Sequence, residues 1–254
     1  MEIEGDDEPV RLPLELSWFV STSVAQPLTI NGDVAEWSGI QPFEIVNTKA
    51  FDPSSASQAE AVKRQGKYPQ TPPLKGPEDL SAKLYTAWDK DAFYLAIEVR
   101  DDVHDPVSQD KPRDSWSGDS LQVYFDCWGD ARSHKFKGFD NNDQAFQVKD
   151  AGDGTLLVFR DVVPEQQVAF LKTGPVTSVK TAFRRTDDGR SIYELAIPWQ
   201  ELAPLEPKPG LVFGFAVIVN DRDNDYRKRI LTLTPPGTEP YMRPDLFPSM
   251  ILAN

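Results

Sequence analysis

Apolar and polar residues alternate in short runs along most of the chain, which is the pattern of half-buried β-strands. The strongest runs are residues 82–88 and 93–100, and they flank a short polar turn. A second pair of runs, residues 176–185 and 190–197, flanks an Asp-Asp-Gly turn. Each pair predicts an antiparallel hairpin.

Residues 114–127 carry the most informative alternation. Between positions 120 and 126, apolar side chains at the odd positions alternate with Gln122, Tyr124 and Asp126. One face of the predicted strand is therefore anchored in the core, while the other is free for polar contacts. Trp116 comes just before this strand, among serines and a glycine that favour a loop. Its ring is either a platform for a ligand or a cap on the edge of the sheet.

The whole pattern comprises about eleven short strands, two or three helical turns and no long amphipathic helix. It predicts an all-β fold, namely a two-sheet antiparallel β-sandwich of the immunoglobulin-like or jelly-roll type. We expect one domain over residues 29–254, preceded by an extension, residues 1–28, with one extra strand. The alternation of residues 10–20 predicts that strand, and Pro13 indicates an edge position.

Residues 48–79 contain five prolines and few apolar side chains, which predicts a long loop inserted into the domain. Loops of this length are usually functional or mobile. The segment is therefore either a lid beside a site or a solvated insertion.

Composition and charge limit the partners of this domain. The 254 residues are 39% hydrophobic and 26% charged, as in ordinary globular proteins. The formal net charge of -13 argues against binding to nucleic acid or to an anionic membrane, because both need basic patches. Neutral polymers, cations and small neutral ligands remain.

The single cysteine, Cys127, excludes an internal disulfide and is expected to be buried as a small apolar residue. No run of about 18 apolar residues predicts a membrane-spanning helix. The acidic N-terminus lacks the apolar stretch of a signal peptide. The chain is therefore either cytoplasmic or part of a longer exported protein.

Two loops are rich in oxygen ligands that a hard cation such as calcium prefers. One contains Asp101, Asp102 and Asp105, and the other contains Asp140 and Asp143. Neither has the spacing of an EF-hand, so a solvated acidic turn is the alternative to a calcium site.

An enzymatic function finds little support in the sequence. Asp119 and Asp126 are seven residues apart along one strand, which puts them on opposite faces and about 23 Å apart. Such a separation excludes them as a glycosidase pair. His104 and His134 lie in charged loops without a nucleophile motif. We expect a non-catalytic protein.

Seven segments of the chain, taken in order, form a recognisable set. They are INGDVAEW (30–37), LYTAWDKDAFYLAIEVRDD (84–102), DSWSGDSLQVYFD (114–126), NNDQAFQV (141–148), YELAIPWQEL (193–202), GFAVIVND (214–221) and YMRPDLFP (241–248). Together they resemble the family-9 carbohydrate-binding modules and their DOMON-like relatives. The resemblance covers the chain from about Thr29 to its end and implies a β-sandwich that grips terminal sugar units of polysaccharides between two aromatic rings.

The resemblance implies specific site residues. Trp116 matches one ring of the clamp, and Tyr241 stands where the family has a second tryptophan. Gln122, Gln147 and Arg227 match the positions that contact sugar hydroxyls, with Arg229 as an alternative to Arg227. Family members can carry a glutamate and an arginine where this chain has the two glutamines, so the hydrogen-bonding pattern has changed.

The chemistry of these residue types suits a sugar. A pyranose has apolar C–H faces and a rim of hydroxyls, so its site needs flat aromatic rings and planar polar groups. The expected partner is a polysaccharide or oligosaccharide, within a larger multidomain protein that is extracellular or periplasmic. Trp37, Trp88, Trp128 and Trp199 lie on or beside apolar strands and turns, and we assign them to the core.

Two alternatives remain open. In the first, the domain has lost its ligand and serves as a structural or docking sandwich within a larger exported protein. Relatives in the wider DOMON group bind haem through methionine together with histidine or lysine, and the internal methionines here are Met242 and Met250.

Overall fold

A computed structural model of the chain describes residues 18–50, 74–108, 110–131, 138–164, 168–223 and 227–254, and gives only the backbone for residues 227 and 228. Fourteen strands make up nearly all of the regular structure in these ranges. They are β1 (Trp18–Ser23), β2 (Phe43–Ile45), β3 (Asn47–Ala50), β4 (Leu80–Trp88), β5 (Ala92–Asp101), β6 (Ser120–Asp126), β7 (Asp143–Asp150), β8 (Leu156–Val162), β9 (Gly174–Pro175), β10 (Lys180–Arg185), β11 (Arg190–Pro198), β12 (Val212–Arg222), β13 (Arg227–Thr232) and β14 (Ser249–Ala253). Short 3-10 helices cover Ala35–Trp37, Pro112–Ser117, Trp199–Leu202 and Pro244–Leu246.

The strands form one continuous sheet that folds over on itself into two layers. Its order is β10-β11-β5-β4-β1-β14-β12-β6-β7-β8-β9, with β2 on β4, β13 on β12 and β3 on β13. The predicted all-β sandwich is confirmed, and both predicted hairpins form, as β4–β5 and β10–β11.

The layers meet through a core of alternating apolar side chains. Phe93 of β5 is fully buried and contacts the rings of Phe125, Phe213 and Phe215 at 5.8–6.2 Å. The contacts are edge-on, as aromatic quadrupoles favour. Cys127 is also buried in this core, as expected.

Strand β1 differs from the sequence prediction of an edge strand. It lies in the middle of the sheet and pairs in parallel with β14 on one side and with β4 on the other. Pro13, on which the edge prediction rested, lies outside the described residues. The alternation of a strand identifies its faces, but its neighbours depend on the packing of the whole sheet.

Two clusters of loop residues cover parts of the outer face of the sheet. Over β4, β5 and β11, the segment around Trp37 packs down, and the indole nitrogen of Trp37 donates a hydrogen bond of 2.7 Å to buried Glu194. Over β6, β7 and β12, Phe247 and Phe139 pack on Tyr124. The sugar site that the sequence predicts lies within this second region.

Three of the four tryptophans assigned to the core are there. Trp37, Trp88 and Trp199 are buried, whereas Trp128 is 53% exposed. The prediction for Trp128 was wrong because β6 ends at Asp126 and the chain turns before the alternation can continue. In the predicted loop insertion, residues 48–50 belong to β3, while residues 51–73 lie outside the described part of the chain.

Candidate functional site

Two glutamines form the centre of the candidate site. Gln122 of β6 and Gln147 of β7 are directly opposed in the antiparallel register. Directly opposed residues share one face of a sheet, with their Cβ atoms about 5 Å apart. Asn220 and Ile218 of β12 continue the same face on the other side of β6. The sequence identified both glutamines, but only the strand pairing brings them together.

The side-chain oxygens of both glutamines lack hydrogen-bond partners. Each residue is only 3% exposed, and in each the buried Oε1 atom accepts no hydrogen bond. A buried polar atom left unsatisfied costs about 1–3 kcal/mol. Two such acceptors side by side are therefore expected where the fold provides for a donor from outside, such as a hydroxyl group.

Trp116 lies on a short helix, Pro112–Ser117, that contacts both strands of the glutamine pair. Pro112 begins the 3-10 helix, and Ser115 donates from its hydroxyl to the Pro112 carbonyl at 2.6 Å. The hydroxyl of Ser120, the first residue of β6, donates to the Ser115 carbonyl at 2.7 Å. These bonds tie the turn that carries Trp116 to the start of β6.

Gly118 allows this turn to pack closely against the preceding loop. A Cβ atom at this position would come within 2.6 Å of the Val107 amide nitrogen, so a side chain there would displace the backbone. The close approach makes one wall of a cavity of about 610 Å³. The lining residues are Asp105, Pro106, Val107, Ser108, Lys111, Asp114, Trp116, Ser117 and Arg222.

Arg222 is a cavity residue that was not among the site residues predicted from the sequence. Its Nε atom lies 3.1 Å from a carboxylate oxygen of Asp105, but the two are not aligned for a hydrogen bond. A planar guanidinium with unused donors suits sugar hydroxyls. Its position at the end of β12 was visible in the sequence, but its place opposite Trp116 depends on the loop.

Lys149 holds the loop of Val107 and Ser108 that forms this wall of the cavity. It is fully buried on β7, two residues beyond Gln147, and its ammonium donates to the carbonyls of Val107 at 3.3 Å and Ser108 at 2.5 Å. Burial lowers the pKa of Lys149. The lysine thus links the sheet face to the loop that lines the cavity.

Tyr241 lies on the other side of the glutamine pair. It is 45% exposed, and its ring meets Phe139 edge-on at 5.9 Å. Phe139 in turn stacks on Tyr124 at 6.0 Å, and Tyr124 is two residues beyond Gln122 on the same face. The next residue, Met242, has a φ of 55°, which is unusual for a residue other than glycine and often accompanies a functional turn.

For the two arginines predicted at the site, the structure describes the backbone of Arg227 and both the backbone and the side chain of Arg229. Arg227 begins β13, and its backbone pairs with Arg222 beside a bulge. Arg229 pairs with Asp221, on the face opposite to Asn220, and its Nε atom lies 3.4 Å from that carboxylate. This alternation places Arg229 away from the glutamine face.

The acidic loop at Asp140 and Asp143 lies at the far end of the same strands. Asp143 is opposed to Asp126 in the β6–β7 register, and both are buried. One oxygen of Asp143 accepts from the Asp140 amide at 2.7 Å, while the other is buried and unpaired. Burial raises the pKa of Asp143 to about 8. Asp126 has its pKa raised in the same direction and for the same reason.

A second acidic group surrounds His104. Oxygen and nitrogen atoms of Asp101, His104 and Asp119 lie within 4.8 Å of one another, as do oxygens of Asp101, Asp102 and Asp223. The two imidazole nitrogens lie 3.5 Å from Asp119 and 3.3 Å from Asp150. These carboxylates outweigh the effect of burial and raise the pKa of His104 to about 9. The two carboxylates thus hold the imidazole in place within the loop.

The methionines lie poorly for haem ligation. Met250 is fully buried in the core between the layers, and Met242 stands on the exposed turn beside Tyr241. His104 is occupied by its two carboxylates. In the part of the chain that the structure describes, no helix is long and apolar enough to span a membrane.

Comparison with known proteins identifies the family. The family model "Carbohydrate family 9 binding domain-like" matches residues 55–254, and the chain therefore belongs to this family of carbohydrate-binding domains. No curated protein matches the chain in sequence.

Two similar solved structures are of a family-9 carbohydrate-binding module from Caldicellulosiruptor kristjanssonii. The complex with cellotriose is 16% identical, covers 94% of this chain and 94% of that chain, and has a TM-score of 0.62. The complex with glucose is 15% identical, covers 94% of this chain and 96% of that chain, and has the same TM-score. At these identities the similarity shows a shared fold.

Proposed function

We propose that the chain is a non-catalytic carbohydrate-binding module that holds a neutral sugar unit at the glutamine face of β6 and β7. The observation that carries this proposal is the pair of buried, unpaired amide oxygens of Gln122 and Gln147, on the two strands that the Trp116 helix contacts. Sugar hydroxyls are donors of the required kind. Family membership supports the same ligand class.

Trp116 and Tyr241 form the two aromatic sides of the proposed site. Trp116 is tied to Ser120 at the start of β6, while Tyr241 reaches Tyr124 through Phe139. Ser120 and Tyr124 are about 13 Å apart along the strand, and Gln122 lies between them. Since Gln122 and Gln147 are almost fully covered, binding requires side chains above them to shift. In this proposal Arg227 and Arg222 supply further hydroxyl contacts from the end of the sheet.

Asp143 supports a separate proposal for calcium. The buried oxygen without a partner, the opposed carboxylate of Asp126 and the neighbouring Asp140 provide the hard oxygen ligands that calcium prefers. A bound cation would offset the repulsion between the two carboxylates. The ion would stabilise the end of β6 and β7 rather than contact the sugar.

Isothermal titration of the full chain against glucose, cellotriose and other neutral oligosaccharides tests the sugar proposal. We expect a Kd no tighter than micromolar, about -8 kcal/mol. One stacking ring contributes on the order of 1–3 kcal/mol, so Trp116→Ala should weaken binding by about 5- to 150-fold. Gln147→Leu should also weaken sugar binding, because a sugar hydroxyl loses its hydrogen-bond acceptor. Tyr241→Ala should have a smaller effect.

Phe170→Ala serves as the matched control, since Phe170 is an exposed aromatic residue outside the cavity lining. Unchanged heats in Trp116→Ala would reject the aromatic clamp. A folded wild-type chain that gives no heat with any sugar would instead favour a structural or docking sandwich.

A further inference from the structure

The outer face of the sheet carries an apolar surface away from the candidate sugar site. Strand β1 reverses the usual alternation, because Trp18 and Val20 face outward while Ser21 is fully buried. Trp18 is 48% exposed and Val20 is 43% exposed. In the described part of the chain, the two outer clusters of loop residues cover the sheet on either side of β1 and leave this strand open.

The strand register extends this surface into a row. Val20 is opposed to Ile251 of β14, and Ile251 is opposed to Val212 of β12. Directly opposed residues lie on one face of a sheet, and Val212 is also exposed. Ser249 is opposed to Trp18, and Gly214 is opposed to Ser249, so the residues that continue this register are small as far as Asp126, whose side chain packs beside Gly214.

Trp128 stands at the other end of the row. The turn after β6 brings Gly129 against the backbone of Val212 and Phe213, at 3.7–3.8 Å from a Cβ atom built on the glycine. Trp128, the preceding residue, is half exposed. The row therefore runs across four neighbouring chain segments, or roughly 14 Å, with a tryptophan near each end. We name it the Trp18–Trp128 strip.

The size and charge of the strip indicate what it binds. Two half-exposed indoles and three aliphatic side chains offer on the order of 300–400 Å² of apolar surface. A standard protein interface buries about 800 Å² on each partner, so the strip is small for a stable dimer. The strip positions on β1, β12 and β14 carry no formal charge, and the nearest carboxylate in the register, Asp126 opposite Gly214, is buried. Uncharged and with an exposed tryptophan near each end, the strip suits the C–H faces of adjacent sugar rings.

The geometry points to the Trp18–Trp128 strip as a second binding surface for the flat face of a neutral, insoluble polysaccharide. This inference relies on the proposed function for the class of ligand. The strip lies on the same outer face as Gln122 and Gln147, because Val212 and Gly214 share the pleat of Ile218 along β12. A single polysaccharide surface can thus contact both the strip and the glutamine face. The strip would then add affinity for extended polymers through multivalency.

Adsorption of the full chain to microcrystalline cellulose and to insoluble xylan tests this surface. The double variant Trp18→Ala/Trp128→Ala should lower adsorption affinity at least tenfold on a polymer that the wild type binds. Its heats of binding to soluble cellotriose should stay unchanged. Phe170→Ala is the matched control and should adsorb like the wild type. Melting curves of all variants establish that each is folded.

The outcomes separate this inference from the proposed function. If cellotriose binding is absent but the double variant loses adsorption, the strip stands while the glutamine site fails. If the double variant adsorbs to both polymers like the wild type, or the wild type adsorbs to neither, the strip is not a polysaccharide surface. A stable dimer in light scattering that the double variant abolishes would likewise overturn the inference in favour of a second copy of the chain.

Discussion

Asp143 is a single residue whose surroundings favour a bound cation. Its carboxyl group is buried opposite Asp126, and one of its oxygens has no hydrogen-bond partner. Burial raises its pKa to about 8, so near neutral pH the folded chain retains a proton there unless a cation compensates the charge. The calcium proposal therefore rests on this side chain more than on the number of aspartates in the loop.

Removal of calcium should lower the melting midpoint of the wild type at pH 8, because two opposed carboxylates lose their counterion. Asp143→Asn should abolish the difference between melting with calcium and with a chelator. The exposed turn residue Asp187 provides the matched control, and Asp187→Asn should respond to chelator like the wild type. A wild-type midpoint that is the same under both conditions would remove calcium from this site.

At the scale of elements, the loop between β5 and the Trp116 helix is positioned from the sheet below it. Lys149 donates to two of its carbonyls, and the Asp105 amide donates to the Asp119 carboxylate at 2.5 Å. A loop with few apolar contacts depends on such bonds for its order. The order of this loop, which forms a wall of the cavity, therefore depends on these hydrogen bonds.

Lys149→Met keeps the length of the side chain but leaves the carbonyls of Val107 and Ser108 without their donor. We expect faster amide hydrogen exchange in residues 103–108, with little change in the core strands β6 and β12. Sugar affinity should fall several-fold because the cavity wall loses its position. Lys111→Met, an exposed lysine of the same loop, should leave the exchange rates unaltered. Unaltered exchange in Lys149→Met as well would show that the Asp119 contact is sufficient.

For the whole molecule, three further buried aspartates besides Asp126, together with the partly buried His104, bind protons more tightly in the folded state than in the unfolded state. Burial raises the pKa of Asp101 and of Asp221 to about 8, with Asp119 and Asp223 adding repulsion. Asp143 is raised to about 8 and His104 to about 9. The stability that the three aspartates contribute to the fold is lost as pH rises from their unfolded pKa toward 8. The His104 contribution is complete below about 6.5 and is lost as pH rises through 9.

All four shifts have the same sign, so the free energy of unfolding should fall as pH rises from 5 to 9. Urea denaturation in the presence of chelator measures it at each pH. Asp143→Asn should reduce the slope by up to about 1.4 kcal/mol per pH unit, which corresponds to one proton. Stability that is constant or rising over this range would contradict the protonation states assigned to these groups.

Local pattern was enough for the strands and for several members of the candidate site. Alternation placed Gln122 on the polar face of its strand, and the serines and glycine around Trp116 predicted its loop. Both follow from the two-residue period of a strand and from turn propensities, which depend on adjacent residues alone. The same signals could not reveal that Arg222 would lie in the cavity or that Trp128 would be exposed.

By itself, the sequence determined an all-β sandwich, its hairpins, the faces of its strands and the family it belongs to. Tertiary structure alone decided that Gln122 meets Gln147, that Asp126 meets Asp143, and that β1 lies within the sheet with Trp18 outward. The reason is physical: a strand's period specifies which side chains share a face, whereas its neighbours and register are chosen by packing over the whole core.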